Sequence, residues 1–199
     1  MIVFSREVFV CKCSTEVARD DPSAGELARR LRFVRGRPAD LSRLDPAHHD
    51  DKQLDELRAR LARGDYWMLG EVDGRVATYV WLHTRERLEY PYLPGCTFLV
   101  REDTGCGYDA WTAPDARGAG LRRRAFLEEL HVLRELGKKW EASFFVKHQL
   151  EGATRSLATV GIKLVPLWRV TLKTRHALTY ERLAQGDETA RPAHVEVPA

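Results

Sequence analysis

The chain has 199 residues, enough for one well-cored domain and tight for two. Its 44% hydrophobic and 31% charged residues describe a soluble globular protein. With 32 basic against 29 acidic residues the formal charge is only +3, which argues against a nucleic-acid partner and makes local clusters more informative than the total.

In chain order, Ile2, Phe4, Val8 and Val10 alternate with charged residues, the pattern of a half-buried strand over residues 2–12. Arg6 and Glu7 interrupt any apolar run, so this start is neither a signal peptide nor a membrane span, and cytoplasm is the default compartment. Cys11 and Cys13 fit same-face strand packing. With Cys96 and Cys106 far off, they give neither a disulfide framework nor a zinc signature, and no metal is expected.

Asp21 followed by Pro22 predicts a helix start, with residues 26–31 continuing it. Residues 31–35 read as a strand and Pro38 to Leu44 as a short helix with Leu41 and Leu44 on one face. His48, His49, Asp50 and Asp51 form a polar break, read as a solvated cap rather than a metal cluster. The helix after it, residues 52–63, buries Leu54, Leu57 and Leu61 and ends at Gly64. Tyr66 to Val72 and Arg75 to Thr84 are strands joined by Asp73-Gly74, the strongest short-range hairpin signal.

Residues 85–96 are too rich in turn residues for a regular element. Short strands follow at 97–101 and 105–112, where Gly105 and Gly107 mark a bulge or a close backbone approach. A helix over 120–136 carries Phe126, Leu127, Leu130, Leu133 and Leu136 on its core face and ends at Gly137. A strand at 140–146, a helix at 151–160 and two strands at 163–167 and 169–173 complete the body. Residues 185–199, with Pro192 and Pro198, read as a mobile tail.

The junction at Arg117-Gly118-Ala119-Gly120 is where chemistry is expected. The first backbone N–H groups of a helix have no partner inside it, and its dipole favours an anion there by about 0.3–1 kcal/mol. A nucleotide P-loop requires Gly-Lys-Ser/Thr after four residues, and a dinucleotide fingerprint requires a third glycine where Arg123 stands, so both fail. Arg122, Arg123 and Arg124 on the first helical turn oppose the dipole unless an anion is present.

The run Pro114-Asp115-Ala116-Arg117-Gly118-Ala119-Gly120-Leu121 resembles the acyl-CoA pyrophosphate loop of the GNAT superfamily of N-acyltransferases. That family's pattern is Arg/Gln-x-x-Gly-x-Gly/Ala after a Val-x-Pro. Arg117, Gly120 and Pro114 match, whereas Thr112 replaces Val and Arg122 replaces the last Gly/Ala. The order of elements resembles the GNAT core from Leu31 to Lys173, and Ala153 to Lys163 resembles its last conserved block, with Leu150 where Asn is common. The resemblance implies an α/β fold with a mixed, mostly antiparallel sheet of ~7 strands flanked by ~4 helices. It also implies a splay between the strands at 105–112 and 140–146. It makes residues 1–184 one domain, with 1–30 an N-terminal extension.

The implied reaction is direct acyl transfer, most simply acetyl, from acyl-CoA to a small-molecule or peptide amine in a ternary complex. The carrier would be held by Ala110, Trp111, Thr112, Arg117, Gly118, Ala119, Gly120, Leu121, Arg122 and Arg123. A donor on an acyl carrier protein, docking on Arg122 to Arg124, is the second reading, and a non-catalytic CoA-sensing module the third. A homodimer is left open. Such transfer needs a neutral amine, a stabilised carbonyl oxygen and a protonated leaving thiolate.

Base candidates are Asp109, Glu102, Asp103, Glu89 and His83. For Asp109 two readings stand open, a base whose pKa burial raises and a strand-edge carboxylate that binds a backbone or Arg partner. Many family members carry a Tyr acid where this chain has Leu157, so Ser143, His148 or water must substitute, or the step is unassisted. Tyr90 and Tyr92, with Trp111, are candidates for an aromatic acceptor pocket, or are core and rim aromatics.

Overall fold

The computed structural model describes residues 6–17, 21–93, 96–172, 178–184 and 190–194. Two compact units divide the chain, and each is described by itself. The first comprises residues 1–17, 84–106 and 132–199, the second 18–83 and 107–131. The fold is mixed α/β, with a main set of eight mostly antiparallel strands.

In the first unit β1 (Arg6–Ser14) lies between β8 (Trp140–Val146) and β9 (Val165–Leu172), and β10 (Leu178–Arg182) flanks β9. All these pairings are antiparallel. The burial of β1 alternates as expected of a half-buried strand, with Val8 and Val10 and then Cys11 and Cys13 buried while Phe9 and Lys12 are half-buried, and the phase changes at the register shift between Val10 and Cys11. A separate sheet joins β5 (Arg87–Glu89), β6 (Cys96–Val100) and β11 (Ala190–His194). Two expectations change here. The connection after residue 84 contains β5, and residues 190–194 pair along β6 where a mobile tail was expected. The remaining expectations for residues 2–5, 185–189 and 195–199 lie outside the described residues.

Helix α4 (Lys147–Ala158) begins four residues before its expected start, at an uncapped Val146. The two strands expected between 163 and 173 are one strand, β9.

In the second unit the strand order is β7 (Thr104–Thr112, from residue 107 on), β4 (Arg75–His83), β3 (Tyr66–Val72) and β2 (Arg32–Arg35). Asp73 and Gly74, both at positive φ, close the β3–β4 hairpin as a two-residue turn. Helix α2 (Asp51–Ala62) starts on a reciprocal cap. Asp50 accepts from the Gln53 N–H at 2.7 Å, and Gln53 accepts from the Asp50 N–H at 3.0 Å. Its inward positions are Leu57 and, unexpectedly, Arg60, while Leu54 and Leu61 are only half-buried.

The turn expected to start at Asp21 is instead α1 (Glu26–Arg29), capped at Gly25. Pro38–Arg43 is a 3₁₀ turn, and Leu41 and Leu44 are buried as expected. Helix α3 (Leu121–Glu135) buries Phe126, Leu127, Leu130 and Leu133, whereas Leu136 lies beyond its end and is 47% exposed.

Gly36 follows β2 and donates to Trp67 O at 2.7 Å, bringing the backbone against the Trp67 ring. A Cβ at Gly36 would lie 2.3 Å from Trp67 Cε3, and that ring is fully buried and stacked on Trp81 at 5.4 Å. Neither indole has room to retreat. Gly36→Ala is expected to destabilise the fold by about 1–3 kcal/mol, read as a lowered midpoint in urea.

Candidate functional site

Strand β7 delivers the chain to Ala113, whose N–H bonds Ala77 O on β4 at 2.9 Å, and Pro114–Ala116 then turn as one 3₁₀ segment. Gly118 and Gly120 both sit at φ 80°, the left-handed region that only glycine enters at little cost. No atom lies within 4 Å of a Cβ placed at Gly118, and at Gly120 only Arg123 Nη2 does, at 3.9 Å. The two glycines therefore open space rather than fill a crowded corner. The first intrahelical bond of α3 runs from the Arg124 N–H to Gly120 O at 3.1 Å, so the N–H groups of Leu121, Arg122 and Arg123 precede it. Underneath, Ala116 and Leu121 pack with Ala24, Ala28, Leu31, Ala77 and Ala113 in one buried cluster. The loop is thus held on its inner side and open on its outer side.

The arginines of the first turn behave differently from the expectation. Arg122 pairs with the fully buried Glu129 at 3.1 Å, and Arg124 lies 3.6 Å from Glu128. Arg123 reaches Asp21 at 2.7 Å and Ser23 at 2.8 Å. Burial alone would raise the Asp21 pKa, but the bonds from Ser23 and Arg123 prevail and hold it below the ordinary value. Protein carboxylates thus supply the negative charge that these cations need beside the helix start, so their presence no longer argues for an external anion. Arg117 Nε bonds Thr112 O at 3.2 Å and keeps an exposed side chain.

Of the two outcomes expected at Gly105 and Gly107, the close backbone approach is observed at Gly105, where a Cβ would lie 2.3 Å from Leu133 Cδ2. Asp109 has φ 48° within β7, a left-handed value that a non-glycine residue in a strand rarely adopts. Beyond it Ala110 is exposed, and Trp111 and Thr112 are half-buried. The Asp109 carboxylate pairs with Arg60 of α2, which also holds Glu56. Arg60 is buried, with its guanidinium 5.5 Å from the Trp81 ring and 5.3 Å from that of Tyr108. Burial opposes its charge, yet the Asp109 and Glu56 carboxylates outweigh that and raise its pKa above the ordinary value. Of the two readings of Asp109, the Arg-paired carboxylate is the one observed.

Beside it lies a network that residue spacing gives no hint of. The buried Asp65 receives the Tyr108 hydroxyl at 2.8 Å and the His83 Nδ1 at 2.8 Å. His83 Nε2 is buried with no hydrogen-bond partner. Asp65 on the turn before β3, His83 at the end of β4 and Tyr108 on β7 meet only because three strands run side by side. His49 is likewise core, its ring 4.8 Å from Trp111 and its Nε2 3.3 Å from the Tyr79 hydroxyl. Asp50 is the helix cap described above. Among the described residues no group of three or more His, Cys, Asp or Glu is placed to hold a metal ion.

The remaining candidates belong to the first unit. Ser143 is buried and donates to Glu141 at 2.8 Å, while Glu141 also accepts from the Cys13 thiol at 3.4 Å. His148 is exposed on α4, and Leu157 is buried. Tyr90 is a core aromatic stacked on Phe144 at 4.5 Å, and Tyr92 is its half-exposed edge neighbour at 5.7 Å. Trp111 belongs to the other unit, stacked on Tyr79 at 5.4 Å.

All four cysteines are free and buried. Burial pushes the Cys11 and Cys96 thiols from the ordinary 9.0 up to about 12. Their neutral form therefore supports the fold fully below pH ~9, and that support is lost as pH rises toward the folded values. Native protein at pH ~8 is expected to resist iodoacetamide, and denatured protein to take up four adducts by mass, one per cysteine.

No family model matches the sequence, and no curated protein matches it either. Solved structures do match the fold. The GCN5-related glucosamine N-acetyltransferase region of a fungal multi-domain GH3 β-N-acetylglucosaminidase superposes with a TM-score of 0.59 at 16% identity over 88% of this chain. A GNAT-family acetyltransferase from Colwellia psychrerythraea gives 0.55 at 11% identity over 84%, and a Drosophila protein 0.55 at 12% over 89%. This chain spans 21% of the fungal protein's length, and 56% and 54% of the other two. No helix among the described residues is long and apolar enough to cross a membrane. The chain has the fold of the GNAT acetyltransferases.

Proposed function

We propose that the protein is an acyl-CoA-dependent N-acyltransferase, moving an acyl group, in the first instance acetyl, to a primary amine by direct transfer in a ternary complex. The observation that carries this reading is the pair of left-handed glycines, Gly118 and Gly120, opening space at the start of the 15-residue helix α3 in a GNAT fold. Amide groups of residues 118–123 would receive the pyrophosphate. The exposed stretch from Ala110 to Thr112 would run beside the pantetheine arm.

In the transfer step the neutral amine nitrogen bonds the carbonyl carbon and gives up one proton to a base. The C–S bond breaks, and the thiolate leaves with its electron pair and takes up a proton, so that amide and free thiol result. Backbone N–H groups beside the left-handed Asp109 suit the carbonyl oxygen. Asp109 and Ser143 are engaged by Arg60 and Glu141, which makes them poor proton carriers. His83 is the better base candidate, because Asp65 fixes its Nδ1 and leaves Nε2 without a partner. Unchanged turnover in His83→Gln would remove it from that role.

The test is thermal stabilisation by acetyl-CoA and longer acyl-CoAs, which at 100 times Kd amounts to about 2.7 kcal/mol, together with free-thiol release across an amine panel. Absence of both overturns the proposal. The pairing of Asp109 with Arg60 also favours a non-catalytic CoA-binding module, which predicts stabilisation without thiol release. Transfer from an acyl carrier protein loses part of its motive, since Arg122 to Arg124 are tied to Glu129, Asp21 and Glu128.

A further inference from the structure

Residues 21–31, the turn at Asp21 and helix α1, take no part in the reaction described above, yet they grip the loop around Gly118 and Gly120. Ala24, Ala28 and Leu31 pack in the buried cluster with Ala113, Ala116 and Leu121. Gly25 lies against the loop itself, its Cβ position 4.0 Å from Ala119 O. Asp21 and Ser23 hold Arg123 of the first turn of α3, at 2.7 and 2.8 Å.

This grip is light. An alanine has one methyl group to bury, and α1 is a four-residue helix with no side-chain cap at Gly25. The charged tie is the Asp21–Arg123 pair, with the Asp21 side chain fully covered and that of Arg123 17% exposed. The two carboxylate oxygens of Asp21 have separate partners. Oδ1 accepts from the Ser23 N–H at 3.0 Å and the Ser23 hydroxyl at 2.7 Å, and so shapes its own turn, while Oδ2 accepts from Arg123 Nε. The turn therefore keeps its own bonds when Arg123 leaves. Arg123 Nη2 lies 3.9 Å from the Gly120 Cβ position, which folds the guanidinium back beside the second glycine of the loop. A cation that borders the anion loop thus already carries an anionic oxygen.

We propose that residues 21–25 are a clasp on the acyl-carrier loop, in which the Asp21 carboxylate stands in for a ligand phosphate on Arg123 and is displaced when a phosphate-bearing carrier binds. A phosphate oxygen makes the same charge-assisted bonds to a guanidinium as a carboxylate does, and the phosphate brings at least as much charge. While Asp21 stays, it occupies one edge of the Arg123 fork and repels the incoming phosphate. The carrier therefore binds more weakly than the loop alone would allow, by an amount set by the Asp21–Arg123 pair. This inference rests on the acyltransferase reading, which supplies the phosphate-bearing ligand.

The experiment is calorimetric titration of the full chain with CoA, with dephospho-CoA, which lacks the 3′-phosphate, and with pantetheine, which lacks every phosphate. Asp21→Asn keeps an oxygen for the Ser23 bonds and removes the charge. It is expected to bind CoA about fivefold tighter than the unaltered protein, and pantetheine no tighter. Arg123→Gln should erase that gain, so that the double variant binds CoA as Arg123→Gln alone does. Ser23→Ala, which loosens the turn and keeps the carboxylate, should stay within about twofold of the unaltered protein. Melting temperatures of all variants check the fold. A gain kept with dephospho-CoA assigns the displaced contact to the pyrophosphate, and one confined to CoA assigns it to the 3′-phosphate; both support the clasp. Unchanged or weaker CoA binding in Asp21→Asn, an equal gain for pantetheine, a gain that survives Arg123→Gln, or the same gain in Ser23→Ala overturns it. CoA binding without the Asp21 effect leaves the acyltransferase reading standing, whereas no CoA binding to any of these proteins overturns both.

Discussion

Gly120→Val is expected to weaken acetyl-CoA binding by about 100-fold, equivalent to about 2.7 kcal/mol. Two effects add. At φ 80° a side chain costs about 1–2 kcal/mol in the backbone, and more for a β-branched residue, so the loop moves away from the geometry that presents the helix start. A branched side chain would also fill space that is open in front of the N–H groups of Leu121 to Arg123. Gly137→Val provides the control. Gly137 has φ 79°, ends the same helix and has no atom within 4 Å of a Cβ position, so it carries the same backbone cost far from the loop. Titration of both variants with acetyl-CoA, alongside their melting temperatures, separates the effects. Equal loss of affinity in the two would show that this loop is not the pyrophosphate site.

Arg60→Met is expected to destabilise the protein by about 3 kcal/mol, lowering Tm by roughly 6–12 °C for a chain of this size. Arg60 is buried between the Trp81 and Tyr108 rings and holds both Asp109 and Glu56. Methionine replaces the volume, so most of the loss comes from the Asp109 carboxylate, only 13% exposed and deprived of its cation. The double variant Arg60→Met/Asp109→Asn, which removes that charge, should recover more than half of the loss. Arg58→Met on the same helix breaks only an exposed pair with Asp55 and should shift stability by less than about 1 kcal/mol. A single variant as mild as Arg58→Met would contradict the account of Arg60 as a partner in a buried pair.

The parts of the fold that were legible in the sequence are those set by neighbouring residues. Asp73-Gly74 specifies its own turn, Asp50 and Gln53 cap α2 within one helical turn, and Gly118 and Gly120 announce a strand-to-helix junction. What was not legible depends on contacts far apart in the chain. Arg60 scores as a surface residue, and its inward position is stabilised by a carboxylate 49 residues away. The Asp65 network joins residues 18 and 43 apart. Helix α4 begins at Val146 without a capping side chain, so nothing local marks its start. The first-turn arginines were legible as a cluster but not as paired groups, because Asp21 lies 102 residues from Arg123.

The positive φ at Asp109 also sets the phase of everything that follows it. Tyr108 and Trp111 are three residues apart and in an unbroken strand would point to opposite faces. Instead Tyr108 shares the Arg60 guanidinium with Trp81, while Trp111 stacks on Tyr79, which alternation places on the same side of β4 as Trp81. The backbone turn at Asp109 has shifted the side-chain alternation by one position. Point substitutions between Asp109 and Ala113 leave that frame intact, whereas inserting or deleting a single residue there would rotate Trp111 off Tyr79 and carry the Pro114–Gly120 turn to the other face. The position of the Pro114–Gly120 turn is therefore counted out from Asp109, residue by residue.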